Sequence, residues 1–353
     1  MTTASTARVG LWLIGARGSV ATTTIAGRAA LAAGLTPPTG MVTALPPFAD
    51  SALPDLDHLV VGGHDVVDIP VPKRAEQLVA AGVLPHGLPA AIAAELAAAD
   101  AEIRHPGADP AADIADFTRR HDLERTVVVN VASTETDPAI STGYAAAAIA
   151  AGCSYVNFTP ATGMRGPGLA ERALAAGLPH AGRDGKTGQT LLRAALAPMF
   201  AQRALDVRSW SGTNLLGGGD GAALADPAAA AAKNAGKERV LADTLGDLPE
   251  GTVHIDNVPA LGDWKTAWDH VAFDGFLGAR MVLQTIWQGC DSALAAPLVL
   301  DLARLVARAH ATGMSGPVPG LGFFFKDPDT GPAALGEQYE ELLTLAQTLR
   351  ARP

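Results

Sequence analysis

The apolar and polar positions in the first half of the chain alternate between short buried strands and helices. A near-continuous apolar run at 8–14 is followed by a glycine turn at 15–21 and then by an alanine-rich helix. Apolar runs at 125–131 and 154–158 enclose a helical segment at 138–151. This alternation predicts a parallel sheet with helices on its faces. A strand, a glycine turn and a helix in that order are typical of a dinucleotide-binding unit.

The pattern changes after about residue 184, where strand-like runs become more frequent. Helices are predicted near 187–203, 226–244, 291–312 and 333–351, and strand-like runs at 205–214, 251–258 and 267–287. We therefore predict a nucleotide-binding domain over residues 1–185, a second α+β domain over 186–315, and a return of residues 316–353 to the first domain.

Composition narrows the class of protein. Hydrophobic residues make up 48% of the 353 residues and charged residues 18%, which is typical of a globular core. The net charge of −10, without a cluster of lysine or arginine, argues against nucleic acid and anionic membranes as partners. The two cysteines form no metal-ligand pattern, no apolar run reaches 18 residues, and no cleavable signal peptide is evident. We expect a cytoplasmic protein without a bound metal.

Lysine is scarce relative to arginine, because 6 of the 26 basic residues are lysines and 20 are arginines. Since lysine can lose its proton and arginine cannot, a chain that otherwise uses arginine is expected to keep lysine where chemistry requires it. Lys233 and Lys237 share one face of the predicted helix over 226–244, without a carboxylate partner on that helix. The alternative is that both are ordinary solvated surface lysines.

The glycine turn is the first candidate binding feature. Gly15, Gly18 and Ala21 are spaced more loosely than in the G-x-G-x-x-G pattern, in which glycines let the backbone approach a pyrophosphate. The acid that binds the ribose hydroxyls usually follows the second strand, and none follows the apolar run at 40–44. Asp65, in the motif GGHD, is therefore a candidate for this role, and a turn-capping aspartate is the alternative.

Other motifs place polar residues in glycine-rich or apolar surroundings. The segment DGKTGQT at 184–190 precedes a helix and offers N–H donors and a cation, as a phosphate-binding turn does. The segment GDWK at 262–265 is interpreted as a turn that carries an acid and an amine. Asp301, a lone acid in an apolar helix, either pairs with Arg304 or has a functional role. Lys326 follows three phenylalanines, so we expect its amine to emerge from apolar packing.

These motifs, taken together and in order, resemble those of the myo-inositol-1-phosphate synthase family. The matching segments are the glycine turn at 15–21, GGHD at 62–65, VNVASTE at 129–135, YVNFTPATG at 155–163, DGKTGQT at 184–190, NLLGGGDG at 214–221, KNAGK at 233–237, GDWK at 262–265, DSALAAPLVLDL at 291–302 and FFFK at 323–326. The resemblance implies an α/β fold, in which a Rossmann NAD-binding domain carries an inserted α+β domain for catalysis and tetramer assembly. It also implies a bound NAD that is reduced and reoxidised within one turnover.

The implied reaction converts D-glucose 6-phosphate to 1D-myo-inositol 3-phosphate by oxidation at C5, enolisation, intramolecular aldol closure and re-reduction. No net redox change occurs, so the implied class is an isomerase. The resemblance implies catalytic roles for Lys233, Lys237, Lys265, Lys326, Asp184, Asp220, Asp301 and Asn214. It implies that NAD is held by Gly15, Ala16, Arg17, Gly18, Ser19, Val20, Asp65, Ser133, Thr134, Asp184, Gly219 and Asp263.

The family positions also suggest individual roles. Lys233 and Lys326 are placed at the carbonyl and alkoxide oxygens, and Lys237 and Lys265 at the phosphate or the C5 oxygen. The aspartates would orient these lysines and the sugar hydroxyls, and Asn214 would bind a hydroxyl.

Departures from the family pattern leave the substrate open. Gly218 and Gly219 stand where the family has two asparagines, and Trp264 interrupts the family's GDSK sequence, where it could reshape the sugar pocket. The closest alternative is a relative that converts fructose 6-phosphate to a five-membered cyclitol phosphate in a carbocyclic nucleoside pathway. Two further alternatives are a simple NAD-dependent sugar-phosphate dehydrogenase, which would release NADH, and a catalytically silent sensor of NAD or sugar phosphate.

Overall fold

The computed structural model describes residues 7–133, 135, 137–218 and 238–351, which form two sheets with helices around them. The first sheet consists of β1 (Val9–Ile14), β2 (Leu59–His64), β3 (Ile103–Arg104), β4 (Arg125–Asn130), β5 (Ser154–Asn157), β6 (Pro179–Gly182) and, from the C-terminal segment, β11 (Gly316–Pro317). All its pairings are parallel, and the strand order is β11-β6-β5-β4-β1-β2-β3. Without β11 this is the order of a doubly wound dinucleotide-binding sheet, whose direction of winding reverses between β1 and β4.

Helices cover both faces of this sheet, which explains why β1 is apolar at consecutive positions. The helices in the described ranges include α1 (Ser19–Ala32), α2 (Val71–Ala80), α3 (Leu88–Ala91), α4 (Ala93–Ala101), α5 (Pro110–Arg120), α6 (Pro138–Ala150), α7 (Leu169–Ala175), α8 (Gly188–Gln202), α9 (Asp291–Ala311) and α10 (Leu335–Ala351). Leu11 and Leu13 pack on one side with α1, α9 and α10. Trp12 and Ile14 pack on the other side with α5, α6 and α7. The predicted α/β class is confirmed.

The second sheet lies between α8 and α9 in the chain. It consists of β7 (Asp206–Leu216), β8 (Val253–Asn257), β9 (Trp264–Asp274) and β10 (Arg280–Cys290), in the order β10-β9-β7-β8. Helix α8 covers one face of this sheet, where Phe200 packs with Trp210 and Val271. The opposite face carries exposed apolar side chains. A four-stranded sheet of this kind matches the α+β unit that the sequence predicts.

Several elements differ from the prediction for local reasons. The run at 40–44 forms a 3-10 turn at Val42–Ala44, and the second strand is β2, which pairs with β1 along its whole length. The predicted single run at 267–287 is divided between β9 and β10 by a hairpin turn. Strand β6 was not predicted, because the sequence PHAG offers little apolar signal.

The packing also changes the predicted domain boundary. Residues 299–309 of α9 belong to the same hydrophobic core as β1 and α1. The sequence places them in the second domain over 186–315, but their contacts place α9 with the first unit. The predicted helix near 226–244 lies partly outside the described residues, and residues 238–245 are helical. Within the described ranges, none of the helices has the length and apolar character needed to cross a membrane.

Candidate functional site

The glycine turn lies at the carboxyl edge of the parallel sheet, directly after β1. Gly15 has a φ of 80°, and a Cβ at this position would lie 2.6 Å from the Cα of Ala132 in the loop after β4. The N–H groups of Gly15 and Ala16 donate to the carbonyl of His64 at 2.9 and 3.2 Å, which ties the turn to the end of β2. Gly18 is the N-cap of α1 and supplies no capping side chain. The first-turn N–H groups of α1 are therefore suited to an anion.

Asp65 follows β2 immediately and lies beside this turn, 8% exposed. Its Oδ2 accepts the N–H of Arg17 at 2.7 Å, and its Oδ1 accepts the N–H of Val67 at 2.8 Å. The Arg17 side chain extends to Asp100, where Nε and Oδ1 are 3.2 Å apart. Asp65 thus caps a turn and also occupies the position from which an acid binds ribose hydroxyls. The missing acid after 40–44 is explained, because that run is not the second strand.

The second unit contacts α1 through Asp263, in the turn before β9. The hydroxyl of Ser19 donates to Asp263 Oδ1 at 2.7 Å and accepts a hydrogen bond from Arg74 at 2.6 Å. Two predicted cofactor-binding residues, Ser19 and Asp263, are therefore in contact. Val20 packs partly buried against the core, and Ser133 is exposed one residue after Ala132.

Trp264, which the sequence analysis gives as able to reshape the sugar pocket, contacts the end of α2. Its indole Nε1 donates to the carbonyl of Ala81 at 2.7 Å, next to Gly82 at the end of α2. The side chain therefore packs on the first unit. Of the turn predicted at 262–265, the last two residues belong to β9, which starts at Trp264 and places Lys265 on the buried face of the sheet.

Lys326 and Asp184 form a buried ion pair between the ends of β5 and β6. Lys326 Nζ lies 2.8 Å from Asp184 Oδ1, and the two side chains are 8% and 10% exposed. The Asp184 N–H donates to the carbonyl of Thr159 at 3.0 Å, and the Lys326 N–H donates to the Asp184 carbonyl at 2.7 Å. Both backbone and side chain therefore fix this ammonium group. Phe325, directly before it, is fully buried, as the apolar run predicted.

Lys265 forms a second ion pair with Asp291, the first residue of α9. Lys265 Nζ lies 3.2 Å from Asp291 Oδ2, and the lysine side chain is 11% exposed. The Thr187 hydroxyl lies 3.5 Å from Asp291 Oδ1. Sequence reasoning missed Asp291, because an acid in the first turn of a helix is usually explained by the helix dipole. Its position inside the DSALAAPLVLDL motif was the available signal.

The segment at 184–188 joins the two ion pairs. Asp184 starts it, and Thr187 and Gly188 end it beside Asp291. Thr187 is the N-cap of α8, and its side chain makes no capping bond, so the first-turn N–H groups of α8 also have no intrahelical acceptor. A Cβ at Gly188 would lie 3.0 Å from Asp291 Oδ1. A helix terminus beside the ammonium group of Lys265 is suited to an anion such as a phosphate.

Lys186 lies in the same segment but is directed into the C-terminal part of the chain. It is 4% exposed, and its Nζ contacts Oε1 of Gln338 on α10. Burial lowers the pKa of Lys186 from 10.5 to about 8. This ammonium group is therefore costly to keep charged in the folded protein.

Replacing Lys186 by methionine is expected to remove a pH dependence of stability. The unfolded chain binds more protons than the folded chain between about pH 8 and 10.5, so the free energy of unfolding rises with pH across this window. We expect the wild type to gain about 3 kcal/mol relative to Lys186→Met between neutral pH and pH 10.5. Urea unfolding of both proteins along a pH series measures this difference. If the free energies of unfolding of the two proteins ran parallel as a function of pH, the prediction would be wrong.

Asp301, for which the resemblance implies a catalytic role, lies apart from the two ion pairs. It is fully buried ten residues after Asp291 on α9, roughly 15 Å along the helix. Its carboxylate accepts the N–H groups of Val42 and Thr43 at 2.6 and 3.2 Å, and Arg304 donates to the Thr43 hydroxyl. Burial raises the pKa of Asp301 to about 6. The residue anchors the 3-10 turn at Val42–Ala44.

Asn214 lies on the buried face of β7 and is 0% exposed. Its Nδ2 donates to Gln189 Oε1 at 2.9 Å, and its Oδ1 has no hydrogen-bond partner among the described residues. The remaining predicted site residues lie outside the described residues: Thr134, Gly219, Asp220, Lys233 and Lys237.

Comparison with known proteins identifies relatives of the chain. Two family models, both described as myo-inositol-1-phosphate synthase, match residues 9–104 and 188–292. Inositol-3-phosphate synthase 1 of Bacteroides thetaiotaomicron is 32% identical over an alignment of 391 positions, which covers 92% of this chain and 90% of that protein.

Two solved structures share the fold of the chain. Inositol-3-phosphate synthase of Caenorhabditis elegans superposes with a TM-score of 0.82 at 21% identity, covering 100% of this chain and 88% of that chain. A myo-inositol-1-phosphate synthase-related protein from Thermotoga maritima superposes with a TM-score of 0.76 at 23% identity, covering 96% and 98%.

Proposed function

Because this chain belongs to the myo-inositol-1-phosphate synthase family, we propose that it converts D-glucose 6-phosphate to 1D-myo-inositol 3-phosphate. It carries the family's NAD-binding domain and is an NAD-dependent isomerase. The observation that supports the proposed reaction best is the arrangement of two lysine–aspartate pairs, one buried and one partly exposed, on either side of the segment at 184–188. Two fixed cations in a protein with a dinucleotide-binding fold suit a reaction that passes through an oxyanion.

The residues at the carboxyl edge of the sheet fit NAD. A Cβ at Gly15 would collide with the backbone of Ala132, so the tight turn after β1 requires glycine, and the first turn of α1 that follows is open to an anion. Asp65 stands at the end of β2, where its carboxylate would accept ribose hydroxyls. Ser19, Asp263 and Ser133 border the same turn. NAD, when bound, supplies a hydride acceptor that also returns the hydride, so no net oxidation results.

The ion pairs would act on the sugar phosphate. The phosphate binds at the first turn of α8 with Lys265, and Asp291 holds that lysine in place. Lys326, held by Asp184, stabilises the negative charge that develops on the enolate and alkoxide oxygens. Lys233, Lys237 and Asp220 complete the cation set in this proposal, on the strength of the family motifs that they match.

Incubation of the purified protein with NAD and glucose 6-phosphate tests the reaction. We expect a cyclitol phosphate, identified by mass spectrometry and NMR, without net growth of the NADH absorbance. Steady accumulation of NADH would indicate a simple dehydrogenase instead. Absence of product from every hexose 6-phosphate would refute the proposal and favour a sensor.

Fructose 6-phosphate is the second candidate substrate, and the glycine loop favours testing it. Gly218 has a φ of 64°, and a Cβ there would lie 3.1 Å from the carbonyl oxygen of Gly262. This close approach to a backbone carbonyl disfavours a side chain at position 218, and the loop lacks an amide that the resemblance to the family would lead us to expect. A parallel incubation with fructose 6-phosphate distinguishes a five-membered from a six-membered product.

Replacing Asp65 by asparagine is expected to weaken NAD binding about tenfold and to reduce the preference over NADP, because the carboxylate both accepts ribose hydroxyls and repels a 2′-phosphate. Titration calorimetry with both dinucleotides measures the change. Asp68→Asn is the matched control, since Asp68 is 87% exposed and pairs with His105. Equal effects of the two substitutions would contradict the proposed role.

The open face of the second sheet supports assembly into the proposed homotetramer. Leu215, Trp268, Val282 and Ile286 lie on the face opposite α8, and Ile286 is 73% exposed beside Trp268. Apolar side chains grouped on a sheet face are suited to burial against a second copy. We expect Ile286→Lys to dissociate the assembly in light-scattering measurements, whereas Leu174→Lys, on α7 of the first unit, leaves it intact. An unchanged mass for Ile286→Lys would exclude this interface.

A further inference from the structure

A chain of four buried polar side chains runs beneath α8 towards the proposed phosphate site. Arg193, Asp269, Gln189 and Asn214 are 1%, 2%, 1% and 0% exposed. Arg193 donates to Asp269 Oδ1 from Nε at 3.0 Å and from a terminal nitrogen at 2.5 Å. Gln189 Nε2 donates to Asp269 Oδ2 at 2.8 Å, and Asn214 Nδ2 donates to Gln189 Oε1 at 2.9 Å.

The donors and acceptors along this row of hydrogen-bonded side chains can be arranged in only one way. Arg193 has only donors, and an ionised Asp269 has only acceptors. The Gln189 amide must therefore turn its nitrogen to Asp269 and its oxygen to Asn214. Asn214 in turn must use its nitrogen towards Gln189, which leaves its Oδ1 as the terminal acceptor. That oxygen is buried and has no donor within hydrogen-bond distance among the described residues.

The unpartnered oxygen lies in the region of the candidate site. Asn214 on β7 opposes Ala267 on β9, so it is a diagonal neighbour of Lys265 on the same buried face. Gln189 belongs to the first turn of α8, whose N–H groups form the proposed phosphate site. A buried acceptor without a partner costs free energy, which a hydroxyl group of a bound ligand would recover.

We propose that Asp269 is a positioning residue, which acts through Gln189 to present Asn214 Oδ1 as an acceptor to a hydroxyl of the sugar phosphate. This inference rests on the proposed function for the identity of the ligand. Asp269 itself touches no substrate. It fixes the orientation of the Gln189 and Asn214 side-chain amides, each of which could otherwise flip by half a turn.

The decisive variants reverse the donor-to-acceptor orientation along this row of side chains and then restore it. In Asp269→Asn, the new amide oxygen stays with Arg193, so its nitrogen faces Gln189 and both following amides turn over. Asn214 then presents a donor to the hydroxyl. Asn214→Asp alone places a carboxylate against the Gln189 oxygen. In the double variant, Gln189 donates to the carboxylate introduced at position 214, and the second oxygen of that carboxylate again faces the ligand as an acceptor.

We expect each single variant to lower kcat/KM about 100-fold, mainly through KM, and the double variant to recover to within about tenfold of the wild type. Trp210→Phe is the matched control. It removes another hydrogen bond to Asp269 Oδ1, at 2.9 Å, without changing the orientation of the Gln189 and Asn214 amides. Its kcat/KM is expected to stay within about threefold.

A purely structural role predicts a different result. The single variants would lower the melting temperature, the double variant would add both losses, and kcat/KM would not recover. That outcome, or an unchanged kcat/KM in Asp269→Asn, would overturn the inference. NAD affinity, measured for each variant, shows whether the first unit is folded.

Affinity for glucose 6-phosphate, measured by calorimetry with NAD present, separates this inference from the proposed reaction. A wild type that binds the sugar phosphate but forms no cyclitol phosphate would refute the proposed function alone. The affinities of the wild type, the two single variants and the double variant for the sugar phosphate would then still test the positioning role. A wild type with normal turnover, combined with a double variant that does not recover, would refute the inference alone. A wild type that binds no hexose phosphate would refute both.

Discussion

Replacing Lys326 by methionine is expected to lower kcat for cyclitol phosphate formation about 1,000-fold, because a fixed cation that stabilises an oxyanion is worth about this factor. Lys326 is suited to this role, since Asp184 holds its Nζ at 2.8 Å and little water reaches it. NAD affinity is expected to stay within about threefold, since the glycine turn is untouched. Discontinuous product assays and NAD titration measure the two quantities.

Lys73→Met is the control for this experiment. Lys73 is 64% exposed and pairs with Glu76 on the surface of α2, so its loss is expected to leave kcat unchanged. Thermal unfolding of Lys326→Met with NAD shows whether the protein remains folded. A folded Lys326→Met protein with normal product yield would contradict the proposed role of this lysine and favour the alternative of a catalytically silent sensor of NAD or sugar phosphate.

Replacing Lys265 by methionine is expected to raise KM for glucose 6-phosphate about 100-fold and to lower kcat/KM about 1,000-fold, because the phosphate loses its cation and Asp291 remains beside it. Initial-rate kinetics over a range of substrate concentrations separates the two parameters. The effect is expected to be largest on KM, in contrast to that of Lys326→Met, because Lys265 binds a group that does not react.

Asp291→Asn is the companion variant for Lys265. It keeps the shape of the site but removes the carboxylate that holds the lysine, so we expect a smaller loss, about tenfold in kcat/KM. If Lys265→Met changed kcat alone and left KM unaltered, the phosphate would have to bind elsewhere and Lys265 would act on the reacting oxygens.

The first strand, its turn and α1 could be predicted from the sequence because their signals are local. The apolar run at 8–14 and Gly15 are adjacent, and Gly15 is required by its φ of 80°. The second strand could not be placed in this way. The runs at 40–44 and 59–61 are both short and apolar, and only the pairing of β2 with β1 decides between them. The position of Asp65 followed from that pairing.

The site shows the same division between local and distant information. Lys265 and Lys326 could be identified from lysine scarcity and family motifs, and Asp184 was among the aspartates expected to orient lysines, but Asp291, the partner of Lys265, was not identified. Asp291 and Asp301 stand on the same apolar helix, and nothing in their immediate neighbours tells which one faces a lysine. The difference arises because β9 meets one end of α9 and the turn at Val42–Ala44 meets its middle. Such contacts join residues that are far apart in the chain.

The bonds made by Asp263 and Trp264 restrict how the two units can move. Ser19 donates to Asp263, Trp264 donates to the carbonyl of Ala81, and Lys265 is the next residue in the chain. A hinge motion between the units would therefore pivot close to this point. Lys265, which directly follows Trp264, would move little in any motion of the units that preserves these two hydrogen bonds.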